Sequence, residues 1–183
     1  MGWGGKPASA SAAAAAAAAS AAAAAAAEEE ASSRLPAHVA HGVRVTIGYF
    51  VLYYCFCYAQ GTMKRKLRAY YAEQGKKFDR YFSRDRKMLG WDRIQGNMLE
   101  QMGPFLTLFW ASILLSPFGG LPYVYVVAGG WLYVLLRAVY PMLWFAGGGG
   151  IGGSYSLIWR VTIPMYLIVL TFAINAATIV YGA

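Results

Sequence analysis

Four long stretches of this chain are almost free of charge and rich in Leu, Val, Phe and Tyr. The first runs from Val45 to Met63 and holds no Asp, Glu, Lys or Arg. Because a helix needs about 20 apolar residues to cross roughly 30 Å of hydrocarbon, a run of this length is typical of a membrane span. The composition agrees, since 58% of the 183 residues are hydrophobic and 13% are charged. A soluble domain, a secreted disulfide scaffold and a soluble nucleic-acid module are therefore poor descriptions of the chain.

The four runs predict an all-α integral membrane protein built as a four-transmembrane-helix bundle. The predicted spans cover about residues 45–63, 94–118, 121–145 and 159–181. The connections between them are too short for another domain, so residues 42–183 are expected to form one unit. Residues 1–41 are an Ala-rich tail of low complexity. We expect this tail to be disordered, because Ala buries little surface and the glutamates that follow the Ala run oppose a helix dipole.

The connection between the first two spans, residues 64–92, carries ten of the sixteen basic residues of the chain. Basic loops stay on the cytosolic side of a membrane, or on the equivalent matrix or stromal side. We therefore expect an endoplasmic-reticulum or organellar membrane protein with its basic loop on that side and both termini on the opposite side. Nucleic-acid binding is an alternative use of such a run. A short basic loop tethered to a membrane is more typical of contact with anionic headgroups, so we predict membrane lipid and no nucleic acid as its partner.

Three ionisable residues, Glu100, Arg137 and Arg160, lie inside or at the edge of the predicted spans. A charge at the centre of a bilayer costs on the order of 2.5 to 3.5 kcal/mol, so such residues usually face a partner or a water-filled cavity. Glu100 lies about 12 Å below one membrane face at 1.5 Å per residue, and Arg137 lies equally far from that face. We therefore expect Glu100 and Arg137 to pair.

Polar residues form one stripe on each of two predicted helices. Arg93, Asn97 and Glu100 follow at i, i+4 and i+7, whereas Arg137 and Tyr140 follow at i and i+3. The stripes predict a polar crevice that is open toward one membrane face. Guanidinium groups suit carboxylates, a carboxylate suits an ammonium group and an amide suits a peptide bond, so a small zwitterionic peptide with several carboxylates would fit. The simpler interpretation is a buried ion pair that fixes helix register, with Asn97 as an interhelical hydrogen bond.

The spacing Arg93-x-x-x-Asn97-x-x-Glu100 resembles the second-helix motif of the membrane-associated proteins in eicosanoid and glutathione metabolism, the MAPEG family. Arg137-x-x-Tyr140 on the third span is similar to the next signature of that family. The resemblance covers the chain apart from its Ala-rich tail. It implies a four-helix protomer, a homotrimer, and glutathione bound as a co-substrate between neighbouring subunits.

By motif position, the resemblance implies five glutathione contacts, which are Arg93, Asn97, Glu100, Arg137 and Tyr140. It also implies a catalytic arginine near the start of the fourth helix, for which Arg160 is the candidate. A nearby guanidinium lowers the pKa of a thiol, and the thiolate is the nucleophile. The expected activity is that of a microsomal glutathione transferase or peroxidase, with an apolar electrophile or lipid hydroperoxide entering from the bilayer. No metal site is predicted.

Two other functions stay open. Trp144 stands where many family members have a tyrosine, and the Gly-rich stretch 147–153 lengthens the connection before Arg160. These features favour a protein that keeps the family's bundle, has lost catalysis, and serves as an accessory structural subunit of a larger organellar membrane complex. A third interpretation is a lipid-binding or scaffold protein that works through the basic loop.

Overall fold

The computed structural model describes residues 16–25, 35–79, 84–147 and 156–182. These residues contain helices and no strand, which confirms the predicted all-α class. The helices are α1 (Ala16–Ala25), α2 (Ala37–Glu73), α3 (Arg86–Leu115), α4 (Tyr123–Ala146) and α5 (Ser156–Tyr181), with a short 3-10 turn at Ser116–Phe118 between α3 and α4. Most of the Gly-rich stretch 147–153 lies outside the described residues.

The helices α2 to α5 are each long and apolar enough to cross a membrane, so the chain is an integral multi-pass membrane protein. Each predicted span overlaps one of these helices, but α2 extends eight residues before and ten residues beyond its span, and α3 begins eight residues before its span. The third span, predicted at 121–145, begins two residues before its helix. The difference arises because Pro122 precedes the first helical residue of α4, where the fixed φ of proline suits a helix start.

The Ala-rich tail belongs to the first of two compact units, Met1–Ala37 and His38–Ala183. Within it the structure places the ten-residue helix α1. Ala has the highest helix propensity of all residues, so a run of Ala forms helix without a packing partner more readily than other sequences do. The predicted disorder therefore does not extend to α1. It does not extend to residues 37–41 either, since α2 begins at Ala37. Residues 1–15 and 26–34 lie outside the described residues, so their disorder stays a prediction.

The connection predicted at 64–92 is largely helical. Helix α2 continues to Glu73 and α3 begins at Arg86, so the loop between them is shorter than the sequence suggested. The start of α3 is fixed by Asp85, whose carboxylate accepts hydrogen bonds from the backbone N–H groups of Lys87 and Met88. Such an N-cap satisfies donors that would otherwise lack a partner in the first turn.

Helices that follow each other in the chain run antiparallel. Gln60, late in α2, donates a 2.6 Å hydrogen bond to Asp92, early in α3. Trp110, late in α3, donates a 3.0 Å bond to Thr46, early in α2. Ser112 of α3 in turn donates to the carbonyl of Phe172 at the same end of α5, so α3 and α5 run parallel to each other. The end of the bundle where α3 begins therefore also holds the end of α4 and the start of α5.

Aromatic side chains fill the centre of the bundle. The rings of Phe105 and Tyr133 stack with centroids 3.9 Å apart, which joins α3 to α4. Gly130 lets α4 approach closely, because a Cβ atom there would lie 2.7 Å from the ring of Phe109 and 2.9 Å from Val45. Small residues at such crossings are typical of packed membrane helices, where close van der Waals contact replaces the hydrophobic effect as the main attraction.

Candidate functional site

Helices α3 and α4 enclose an open crevice at the end of the bundle where α3 begins. Its volume is about 460 Å³. Three of the residues on the predicted stripe of α3 lie along it, and Tyr140 lines it from α4. The complete lining is Leu89, Asp92, Arg93, Gly96, Asn97, Glu100, Tyr140 and Trp144. Four of the six candidate residues line this crevice, whereas Arg137 and Arg160 do not.

The side chains that line the crevice are exposed at its rim and more buried deeper inside. Arg93 and Glu100 are exposed, whereas Asn97 between them is half-buried. Tyr140 is 5% exposed and forms the inner wall, with its ring 6.0 Å from that of Trp144. The crevice thus carries a cation and an anion at its open rim and an amide and a phenol deeper inside, a set that can bind both ends of a zwitterion.

Arg137 lies behind this wall rather than in it. Its side chain is 2% exposed. The Nη1 group donates to Oδ1 of Asn97 at 2.5 Å, and Nε and Nη2 both donate to the hydroxyl of Tyr133, at 3.2 and 2.9 Å. Both acceptors are neutral, and no carboxylate of the described residues lies within ion-pair distance of the guanidinium. A buried cation held only by neutral partners is electrostatically costly unless an anion lies near it.

The expected ion pair between Glu100 and Arg137 is wrong for this protomer. Glu100 points to the exposed side of α3, whereas Arg137 turns inward to Tyr133 and Asn97. The residue count predicts only the height of each side chain along its helix, and the matched depth of the two residues stays a prediction. Rotation about the two helix axes then places Asn97, not Glu100, opposite Arg137.

Each of the three ionisable residues of the spans lies four positions before a proline inside its helix. Pro104 follows Glu100 in α3, Pro141 follows Arg137 in α4, and Pro164 follows Arg160 in α5. Proline has no N–H group, so the carbonyl four residues earlier loses its helical hydrogen bond. The backbone carbonyls of all three charged residues are therefore left as acceptors for other donors.

Arg160 does not line the crevice. It is exposed on α5, near the start of that helix. Ile158 and Thr162, two positions to either side, face a smaller groove of about 370 Å³ that shares Asn97, Tyr140 and Trp144 with the crevice. Residues two apart on a helix point about 200° away from each other, so Arg160 is directed to the outer surface of the protomer.

The sequence model of the MAPEG family matches residues 43–178, which is more than half of the chain. The chain belongs to the MAPEG family. This membership confirms the resemblance that was drawn from the motifs of the second and third spans, and places the protein among membrane proteins of glutathione and eicosanoid metabolism. No curated protein and no solved structure matches the chain significantly.

Two residues at or behind the crevice of this MAPEG protein were not predicted from the sequence. Tyr133 holds the guanidinium of Arg137 through its hydroxyl, and its position at i−4 on the same helix face was a signal that could have found it. Asp92 lines the crevice and also accepts bonds from Gln60 and Lys64, at 2.6 and 2.8 Å. The sequence predicts a loop position for Asp92, because the basic connection at 64–92 extends to this residue.

The same site includes polar atoms with no partner. The indole Nε1 of Trp144 and the hydroxyl of Thr162 are both buried and make no hydrogen bond with the described residues. Both belong to residues that line the smaller groove. The part of the chain that the structure describes contains no cluster of three His, Cys, Asp or Glu residues that could hold a metal ion.

Proposed function

We propose that this MAPEG protein is a membrane-bound glutathione transferase or peroxidase that acts on apolar electrophiles or lipid hydroperoxides. The observation that carries the proposal is the crevice, in which Arg93, Asn97, Glu100 and Tyr140 surround an open volume of about 460 Å³. Family membership supports glutathione as the co-substrate, because the family is that of glutathione and eicosanoid metabolism. The motif residues and the crevice residues are largely the same set.

Glutathione offers carboxylates, an ammonium group, peptide bonds and a thiol, and the crevice holds a suitable partner for each of the first three. The exposed guanidinium of Arg93 suits a carboxylate, and the carboxylate of Glu100 suits the ammonium group. The amide of Asn97 and the hydroxyl of Tyr140 suit the peptide bonds, since each can donate and accept. Binding would therefore fix the tripeptide along α3 by complementary charges at the rim and neutral bonds deeper inside.

The buried charge of Arg137 supports an anionic ligand. Its partners Asn97 and Tyr133 are neutral, so no carboxylate of the described residues offsets the guanidinium. The medium around it is of low dielectric, where a charge interacts more strongly with an ion nearby than it would in water. A carboxylate bound in the crevice beyond Asn97 would lie close enough to be attracted by this charge.

The proposed assembly is a homotrimer in which each crevice lies against a neighbouring subunit. Arg93 and Glu100 are exposed on the protomer although α3 is a membrane helix, and a charge that faced lipid there would cost on the order of 2.5 to 3.5 kcal/mol near the bilayer centre. A neighbour that covers the crevice would remove this cost. It would also give a role to Arg160, which points outward and would serve the crevice of the adjacent subunit.

The proposed chemistry begins when the thiol of glutathione loses its proton to water and Arg160 stabilises the resulting thiolate. In the transferase reaction, the sulfur forms a bond to an electrophilic carbon and the leaving group departs with its electron pair. In the peroxidase reaction, the sulfur attacks the terminal peroxide oxygen, which yields an alcohol and a glutathione sulfenic acid. A second glutathione then forms the disulfide and releases water. The residues contribute by holding the two reactants together.

Calorimetry of the full-length protein in detergent tests the proposal. Wild type is expected to bind glutathione, and Glu100→Gln is expected to bind it about tenfold or more weakly, because a rim carboxylate then no longer meets the ammonium group. Glu73→Gln is a matched control, since Glu73 is exposed at the end of α2 and lies outside the crevice. Folded wild type that shows no heat with millimolar glutathione would overturn the proposal.

Mixed trimers test the role of Arg160. At a glutathione concentration well below the wild-type Kd, Arg160→Ala and Glu100→Gln are each expected to show strongly reduced transferase activity as pure assemblies. If Arg160 serves the neighbouring crevice, co-expression of the two variants restores part of the transferase activity, because some sites then receive a wild-type residue from each subunit. Activity that stays as low in the mixture as in the pure assemblies, with both variants assembled, contradicts the shared site.

An accessory structural role is the second candidate. The position of Arg160 outside the crevice of its own protomer favours it, because a catalyst needs that guanidinium at the thiol. This candidate predicts that glutathione does not raise the unfolding temperature at any concentration, and that the protein purifies in a fixed ratio with a larger organellar membrane complex.

A further inference from the structure

A second polar groove lies on the other side of the Lys64–Asp92 ion pair from the crevice. We call it the basic groove, and its volume is about 450 Å³. No carboxylate lines it. Most of the lining is provided by five cations and one aromatic ring, which are Lys64, Arg65, Arg68, Lys76, Lys77 and Phe78. A cavity of this size that is lined by cations is suited to an anion. The proposed glutathione chemistry makes no use of it.

The groove has a defined shape because the chain folds back on itself after α2. The backbone N–H of Lys76 donates to the carbonyl of Tyr71 at 2.9 Å, and the ring of Phe78 stacks on that of Tyr71 with centroids 5.6 Å apart. The hydroxyl of Tyr71 also donates to Asp85 at the start of α3. These contacts hold Lys76 and Lys77 opposite the basic face of α2.

The base of the groove lies where the uncharged run of the first span ends, which places it at the expected membrane boundary. Gly61 lines it, and the uncharged run of the first span ends at Met63. Helix α2 has 37 residues and is therefore about 55 Å long, whereas the hydrocarbon layer is about 30 Å thick. The turns of α2 beyond Met63 thus rise through the headgroup region, and the groove rises with them.

The cations lie at two heights along this rise. Arg65 is turned toward the membrane, since it donates to Thr62 at 3.1 Å and its guanidinium lies 6.0 Å from the centre of the Tyr58 ring. Arg68 lies one turn further along α2, about 5 Å higher. Lys76 and Lys77 belong to the segment that follows the end of α2, and like Arg68 they form no ion pair with the described residues. Lys64 is already compensated by Asp92 at 2.8 Å.

We propose that the basic groove binds an anionic phospholipid whose headgroup carries additional phosphate above the phosphodiester. The phosphodiester would lie at the level of Arg65, and the further phosphate would meet Arg68, Lys76 and Lys77. The ring of Phe78 gives the groove an apolar wall for the carbon skeleton of the headgroup. A lipid is favoured over a soluble phosphate or a nucleic acid because the base of the groove opens where the hydrocarbon ends.

Binding of a short-chain phosphatidylinositol bisphosphate to the full-length protein in detergent tests the proposal. Wild type is expected to bind this lipid and to bind short-chain phosphatidylglycerol, which has one phosphate, at least tenfold more weakly. Replacing Arg68, Lys76 and Lys77 together by Ala is expected to weaken binding on the order of a hundredfold, since a basic residue near the surface contributes about 1 kcal/mol. All three side chains are exposed, so the variant keeps its packing.

The matched control replaces Lys66, Arg84 and Lys87 by Ala, which removes the same charge from exposed positions outside the groove. Its affinity for the bisphosphate lipid is expected to stay within threefold of wild type. An equal loss in both triple variants would overturn the proposal in favour of diffuse attraction by the whole basic region. Inositol trisphosphate or a single-stranded oligonucleotide that binds as tightly as the lipid would overturn it in favour of a soluble ligand.

Discussion

Arg137 donates a hydrogen bond from Nη1 to Oδ1 of Asn97, and this bond connects the buried charge of α4 with the open crevice. The guanidinium is 2% exposed, whereas Asn97 lines the crevice. Asn97 therefore satisfies a buried donor and, in the proposed complex, has a second function, which is to present the rest of its amide to the ligand. Because Asn97 is neutral, it does not offset the positive charge of Arg137. That charge can therefore attract an anion in the crevice.

Asn97→Asp is predicted to separate these two functions. The new carboxylate would form an ion pair with Arg137, so the unfolding temperature of the ligand-free protein should not fall. Glutathione should bind about tenfold or more weakly, because the charge that attracts its carboxylates is then neutralised. Gln101→Glu, which adds a charge to the same helix outside the crevice, is the control. Wild-type affinity in Asn97→Asp would mean that the field of Arg137 does not contribute.

The fold was predictable because span length is a one-dimensional property of the sequence, whereas the matched depth of Glu100 and Arg137 stays a prediction. Their pairing was not predictable, because the residue count does not give the rotation of two helices about their axes. That rotation depends on packing, such as the contact between Gly130 and Phe109 and the stack of Phe105 on Tyr133. The inward turn of Arg137 follows from these contacts.

Tyr133→Phe is predicted to destabilise the protein by about 1.5 to 3 kcal/mol, measured as the free energy of unfolding in detergent. The substitution keeps the ring that stacks on Phe105 but removes the hydroxyl that accepts two bonds from Arg137, and hydrogen bonds to charged groups are worth about this much. Tyr125→Phe, at an exposed position of the same helix, should change stability by less than about 0.5 kcal/mol. Equal stabilities of the two variants would show that Arg137 finds another acceptor.

Gly130→Ala is predicted to cost about 1 to 3 kcal/mol of folding free energy. Its methyl group would lie 2.7 Å from the ring of Phe109 and 2.9 Å from Val45, both of which are fully buried, so the three helices must move apart. Gly103→Ala is the matched control, because nothing lies within 4 Å of the added carbon and the position is exposed on α3. Thermal unfolding in one detergent compares the two, and a neutral Gly130→Ala would contradict the close helix crossing.

The Lys64–Asp92 ion pair is predicted to contribute modestly to stability and to depend on salt. The two side chains are 19% and 33% exposed, and Oδ1 of Asp92 also accepts from Gln60. Pairs of such exposure are worth about 1 kcal/mol or less, so a double-mutant cycle with Lys64→Ala and Asp92→Asn should give a coupling energy in that range at low ionic strength. The coupling should shrink in 1 M salt, where charges are screened within about 3 Å. A coupling that salt leaves unchanged would contradict a solvent-accessible pair and would require that the α2–α3 contact be closed to water at this point.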